Sequence, residues 1–448
     1  VALLLLHFFR HEDGKKKMSI KLTASRVFRF VSLILLYGAF SISVLEAAER
    51  QVDAGQALQD SVDQAKPGDV LRLSKGHFQG PVLISKPISL IGQAGTVIEG
   101  KGQGSVIEIT APDVRIEGMT IRGSGLDLPK MNSAVLVRQT GERAIIVANR
   151  LEENLFGVYL HGAAGSLVKD NIIVGRANMR MSEAGNGVSI WNAPGAQIIG
   201  NDIRYGRDGI FVTTSKKNVF KNNRFEDLRF AIHYMYTNDS QVIGNLSRNN
   251  HIGWAIMYSN KLDIRDNVSL QDRDHGLMLN FANSSTITNN VVRNGKKKCV
   301  FIYNANKNMI AQNVFEGCPI GIHFTAGSAN NQFLKNAFIN NRTQVKYVGT
   351  RLLDWGENGA GNYWSDNPAF DLDGDGIADR PYRPNGAMDQ ILWRYPQAKI
   401  LSNSPAVKLI RWAQERFPSI LPGGVVDTSP LMAPPKTVLK IEQKRGAK

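Results

Sequence analysis

The sequence predicts an all-β protein of the parallel β-helix class, and three observations lead there. Asparagines recur at Asn149, Asn171, Asn201, Asn223, Asn245, Asn267, Asn290, Asn313 and Asn336, spaced 22 or 23 residues apart except for one step of 30. An apolar-x-apolar triplet precedes each of them, and further on a small residue opens a second alternating run, as at Gly209, Ile210 and Val212. Alternation marks strands, and a repeat of this length marks stacked coils. One coil cannot bury its inward side chains alone, whereas coils stacked about 4.8 Å apart share a core and pair their backbones. The asparagines fit corners, where Asn tolerates left-handed backbone angles and its amide reaches the same residue one coil away. They are expected to form a structural ladder, which needs no bound sugar to explain it.

Taken in order, residues 1–48 read as an N-terminal extension and signal peptide. Lys15, Lys16 and Lys17 precede Met18; Lys21, Arg26 and Arg29 then lead into an apolar stretch from Val31 to Val44, with Ala47 and Ala48 at its exit. Leu45 and Glu46 blur the cleavage motif, so a cleaved signal and a retained anchor both stand. Residues 49–348 are assigned to the β-helix. Its start, 50–66, reads as a short amphipathic helix with Ala54, Leu58, Val62 and Ala65 on one face, capping the open core. The 30-residue step inserts a protruding loop around Arg176 to Gly185. Residues 349–400 form a Gly/Asp-rich capping segment and 401–422 a basic amphipathic helix started by Ser404 and Pro405. That helix either packs on the last coil or docks a membrane or partner. Residues 423–448 read as a disordered tail.

The net charge is +15; residues 1–48 hold seven Lys or Arg against Glu12, Asp13 and Glu46, which leaves +11 for the rest. Such a chain favours an acidic protein partner or an anionic surface, and no nucleic-acid-binding signature accompanies the charge. The two cysteines, Cys299 and Cys318, sit about a coil apart but out of register. A disulfide is open to them with help from the loop between them, and a buried inert cysteine is favoured over a thiolate on a metal.

Two metal readings follow from residue pattern. Asp371, Asp373, Asp375 and Asp379 occupy positions 1, 3, 5 and 9 of a calcium loop, but Tyr382 stands where the bidentate Glu belongs. Structural calcium and an Asp/Gly turn are both open. Counting outward from the apolar columns puts His233, Met257 and Met278 on successive coils, with Met235 beside His233 and with Met179 and Met181 on the protruding loop. Thioether and imidazole suit copper(I); an adaptable methionine surface for another protein is the competing reading. A third class, a polysaccharide-modifying enzyme such as a uronic acid lyase or epimerase, rests on Asp272, Asp274 and His275 in one corner, without a second cluster on neighbouring coils.

The segments IHYMYTND (232–239), KCVFIYNANKN (298–308), CPIGIHFTAGS (318–328), QVKYVGTR (344–351), GNYWSDNPAFDLDGDGIADRPYRP (361–384) and LSNSPAVKLIRWAQERFPSILPGGVVD (401–427) make the chain resemble the NosD family of maturation factors for nitrous oxide reductase. The resemblance runs from about residue 50 to 432. It implies an exported, periplasmic right-handed β-helix without catalytic activity, involved in copper-centre assembly during denitrification. Its implied partners are the ABC transporter NosF/NosY, the copper chaperone NosL and the reductase NosZ. The resemblance supplies no ligand set; the His233 and methionine patch comes from register alone.

Overall fold

Each coil lays down three short strands, and every one of them pairs in parallel with its counterpart three strands later in the chain. The computed structural model describes residues 48–435 apart from 326, 357–358, 360, 402–403 and 418–422. Three parallel sheets of 13, 12 and 13 strands result. Their inward residues form one continuous core; the column Ile203, Phe225, Ser247, Ser269, Val292, Phe315, Phe338 is typical in stacking like positions on like. The expected export signal lies outside the described residues, apart from Ala48.

The ladder is present and buried. Asn223 donates its backbone N–H and its Nδ2 to Oδ1 of Asn245 at 2.9 and 3.0 Å, and its Nδ2 also donates to the Ile198 carbonyl. The pattern repeats from Asn149 to Asn362, one coil beyond the expected end at residue 348. The backbone assignment at the corner needs correction. The left-handed residue is the one before each ladder Asn: Asp170, Asn222, Asp266, Asn289, Gln312 and Lys335 have φ between 52° and 60°. Its twist turns the chain so that the following side chain points inward, where burial makes the amide bonds obligatory.

The N-terminal cap differs from the helix expected over 50–66. Glu49–Val52 is a strand paired with Val70–Leu73, and helix α1 spans only Leu58–Gln64. Gly55, at φ 98°, separates the two. Leu58 and Val62 bury themselves over the first coil as anticipated.

At the other end the segment 349–400 is less irregular than its composition suggests. Tyr363–Trp364 adds a last strand to the third sheet, and helix α2 covers Ala387–Arg394. Helix α3 spans Pro405–Arg416 with Ser404 Oγ accepting from Val407 N–H. On and just after this helix Val407 is buried, while Leu409, Ile410, Trp412 and Phe417 are exposed. Residues 423–435 are not disordered. Gly424–Val426 pairs with Leu352–Asp354, and buried Asp427 follows it. The Oδ2 of Asp427 accepts from Asn362 N–H at 2.7 Å and from Trp364 Nε1 at 2.8 Å, terminating the ladder.

The cysteines, whose pairing the sequence leaves open, form a disulfide. Cys299 lies in the strand Lys298–Tyr303 and Cys318 in the turn entering Ile320–Thr325, with Cα atoms 5.7 Å apart. Measured strand to strand the two are out of register, but the bridge runs from strand to turn.

Candidate metal and docking face

The second sheet carries strands of up to six residues, and its outer face presents three columns of side chains, one of them Phe230, Ile252, His275, Lys298 and Ile320. Register fixes the central column as Phe211, His233, Ala255, Met278, Phe301, His323 and Lys346. Beside it run Trp191, Thr213, Met235, Met257, Asn280 and Tyr303. Met257 therefore does not follow His233 in one column; it pairs with Met235 two positions along. The cause is inside the coil. Ile232 pairs with Trp254 and not with Ile256, because the interior accepts the indole, edge-on to Phe225 at 6.2 Å. His233, Met235, Met257 and Met278 still share one face. Small Ala255 sits among them, and it forms with Ile252 and Met278 a packed outer cluster joined by Phe230, Met257 and Phe301. Met179 is half-buried and Met181 exposed on their loop; neither belongs to that cluster.

His233 is held by a charge network that sequence reading missed. Its Nδ1 lies 3.0 Å from Asp208 Oδ2, and Arg229 grips the same carboxylate with two bonds of 2.8 and 2.6 Å. Burial opposes a charge on Asp208, but hydrogen bonds from His233 and Arg229 outweigh it and hold its pKa below the usual range. Arg229 also stacks on Phe230, 4.4 Å from the ring centroid. With Nδ1 donating to the carboxylate, Nε2 carries the lone pair. It is buried, without a hydrogen-bonding partner among the described residues, between Phe211 and Phe230. A carboxylate-oriented imidazole with a free nitrogen beside thioethers is the arrangement that a soft metal ion takes. Arg229 lies 21 and His233 25 residues after Asp208, on the next coil, a spacing that forms no sequence motif, so only register exposes the network.

The acids and histidines of the neighbouring corner are taken up by hydrogen bonds and ion pairs of the coil stack. Asp272, fully buried, accepts from Ser247 and Ser269 hydroxyls and from Asn250 N–H; burial dominates and raises its pKa to about 7. It takes the place that Asn250 and Asn341 fill on other coils, where their Oδ1 accepts from the N–H of Leu228 and Cys318. Asp274 is engaged by Lys297 at 3.3 Å and faces His275 and His251. His275 is buried at this corner, and burial with nearby Lys298 lowers its pKa to about 4. Tyr236, Tyr258 and Phe281 line the adjacent corner with their rings stacked on one another at 5.1 and 5.0 Å, so their edges face outward. Ring edges give no flat platform for a sugar.

In the Asp-rich loop, carboxylate oxygens of Asp371, Asp373 and Asp375 come within 4.8 Å of one another. Asp371 already accepts from Gly374 and Gly376 N–H, and Asp379 accepts from Leu372 N–H. Tyr382 turns its hydroxyl to Asp366, leaving the twelfth position without a ligand. These bonds account for the loop as an Asx-type turn.

A curated relative from Stutzerimonas stutzeri, described as "Probable ABC transporter binding protein NosD", is 39% identical over 94% of this chain and 98% of its own length. The chain belongs to the NosD family. A NosD of Pseudomonas aeruginosa with the same description is 38% identical over 81% of the chain and 88% of its own length. The family model described as periplasmic copper-binding protein (NosD) matches residues 169–369, which contain the whole His233 and methionine face. Among solved structures, a family 28 exopolygalacturonase of Yersinia enterocolitica (TM-score 0.50, 12% identity, 67% of this chain and 77% of that one) shares the fold. So does the bacteriophage phi29 gene product 12 N-terminal fragment (TM-score 0.51, 11% identity, 73% and 72%). At such identities the likeness concerns the coil architecture alone.

Proposed function

We propose that this NosD-family protein is a periplasmic accessory factor in assembling the copper centres of nitrous oxide reductase, that it works with an ABC transporter, and that it takes copper(I) transiently as cargo. The observation that carries the copper reading is the unpartnered Nε2 of His233, oriented by Asp208 and flanked on the same face by Met235, Met257 and Met278. Neutral soft ligands hold a monovalent ion without the charge that would trap a divalent one, which suits hand-over. Met179 and Met181 would join only through movement of their loop.

Titrating the mature protein with copper(I) against a competing chelator tests this. A variant combining His233→Ala with Met→Leu at 235, 257 and 278 should lose affinity at least about tenfold; equal affinity discards the face as a metal site. The transporter is assigned to NosF/NosY and the outer partners to NosL and NosZ on the strength of the family. The exposed Leu409, Trp412 and Phe417 around α3 support a transporter contact there. Transporter pull-down that survives deletion of 404–422 would refute it. A polysaccharide-modifying activity predicts release or isomerisation of uronic acids from polymers, and the accessory reading predicts none.

A further inference from the structure

Over the two flanking sheets arginines are matched with carboxylates, as in Arg115 with Glu117, Arg143 with Asp113, Arg204 with Asp202, Arg265 with Asp263 and Arg293 with Glu316. The corner that leads into the second sheet is different. Successive coils place Arg207, Arg229, His251, Arg273 and Lys296 there, tied rung to rung by backbone bonds such as Arg229 N–H to Arg207 and Arg273 N–H to Asn250. Arg342 continues the line, and Lys298 and Lys346 stand beside it on the outer face. Among the described residues, three acids lie within this group: Asp208, buried and taken by Arg229 and His233; Asp272, buried and held by the Ser247 and Ser269 hydroxyls; and Asp274, taken by Lys297. Arg207, Arg273, Lys296, Lys298, Arg342 and Lys346 have no carboxylate at ion-pair distance among the described residues.

We infer that this corner is the docking site for an acidic segment of a partner protein, whose carboxylates would complete the row of unmatched cations at the edge of the methionine face. Charge complementarity is the first argument. The second is that part of the row is recessed: Arg207, Lys298 and Lys346 are half-buried, while Arg273, Lys296 and Arg342 stand exposed. Lys298 is half-buried and lies over Phe301 at 4.3 Å, and burial lowers its pKa. His323, beside it, is pushed down to about 4 by burial and by Lys298 and Lys346. Positive groups crowded and partly desolvated in this way are relieved by an anionic side chain reaching between rungs. A flat headgroup layer does not enter so, and a uniform polyanionic sugar gains nothing from the adjoining cluster of Phe230, Ile252, Met278 and Phe301. An apolar centre with a cationic rim fits a protein surface of the opposite rim charge. The inference rests on charge distribution and is independent of whether the face takes copper.

The test uses the mature full chain and a labelled amphipathic Glu/Leu peptide, followed by fluorescence anisotropy at low and at physiological ionic strength. Reversing Arg273, Lys296 and Arg342 to Glu should weaken binding at least about tenfold and flatten its salt dependence. Reversing Lys216, Lys217 and Lys261 to Glu, exposed residues at another corner, makes the same change in net charge and should leave binding within about twofold. NMR titration should show the midpoints of His275 and His323 rising on saturation with the peptide, as neighbouring carboxylates favour their charged forms. Equal losses in the two triple variants would reduce the effect to net charge and overturn the proposal. So would unmoved histidine midpoints, or tighter binding of polygalacturonate or of phosphatidylserine vesicles that depends on the same three residues.

Discussion

At the residue scale, Asp208 and Asp272 show how one residue type serves opposite ends when buried. Asp208 is charged because Arg229 and His233 surround it, and its purpose on the face is to aim His233. Asp208→Asn keeps the shape but removes the charge, and copper(I) affinity is expected to fall about 10- to 100-fold in the chelator titration. Asp272 has hydroxyl and amide donors but no cation in bonding distance, and it keeps its proton up to about pH 7. In the unfolded chain it would release that proton near 3.8. Between those values the unfolded state binds fewer protons, so stability falls as pH rises through the window and levels off above it. Asp272→Asn, an amide where other coils carry Asn250 and Asn341, should flatten this loss. Its gain in Tm over the wild type is expected to be largest above pH 7 and small near pH 4. Neither role was legible in the sequence, because Asp208, Arg229 and His233 come from two coils and no spacing rule links them. The methionines were legible as a shared face; the two-residue error at Met257 came from aligning Ile256 with Ile232, when Trp254 holds that register and Ile256, also inward, pairs with Tyr234.

At the element scale the Asn ladder is the feature that the sequence displayed most openly, since a fixed period needs only counting. Its energetics follow from burial. Asn245→Ala would remove the acceptor of the Asn223 N–H, one of the two bonds made by Asn223 Nδ2 and the side-chain donor to the Phe220 carbonyl. A loss of about 2–4 kcal/mol in urea unfolding is expected; a change under about 0.5 kcal/mol would mean that neighbouring coils relax around the gap. The disulfide was hidden for a geometric reason. Nineteen residues separate Cys299 from Cys318 while the local period is 23, so strand-to-strand counting misses a bridge that ends in a turn. Closing a loop of that length restricts the unfolded chain by on the order of 3 kcal/mol. Reduction should therefore lower Tm without altering the β-sheet signature in circular dichroism. The N-terminal helix was overcalled in length because alternate apolar positions at Val52 and Ala54 suit either period, and Gly55 breaks the run.

At the scale of the whole molecule, stacking determines where function can sit. The interior is filled by side chains from end to end, so chemistry is confined to outward columns and corners. That is why the second sheet, with its longer strands, gathers His233, the methionines and the cationic corner, and why a likeness to carbohydrate-active coils reaches no further than the backbone. Sequence periodicity reported the repeat faithfully and stopped where the repeat stops: residues 363–364 and 424–427 join the body through contacts with no periodic signature. The order of synthesis then acquires a meaning. Early coils can settle as they emerge, yet the rung at Asn362 waits for Asp427, 65 residues downstream. A chain ending at residue 422 would offer bare amides at an open end, and two such ends can adhere to each other. Size-exclusion chromatography should find that fragment, and the Asp427→Ala full chain to a lesser degree, in assemblies that the intact protein does not form.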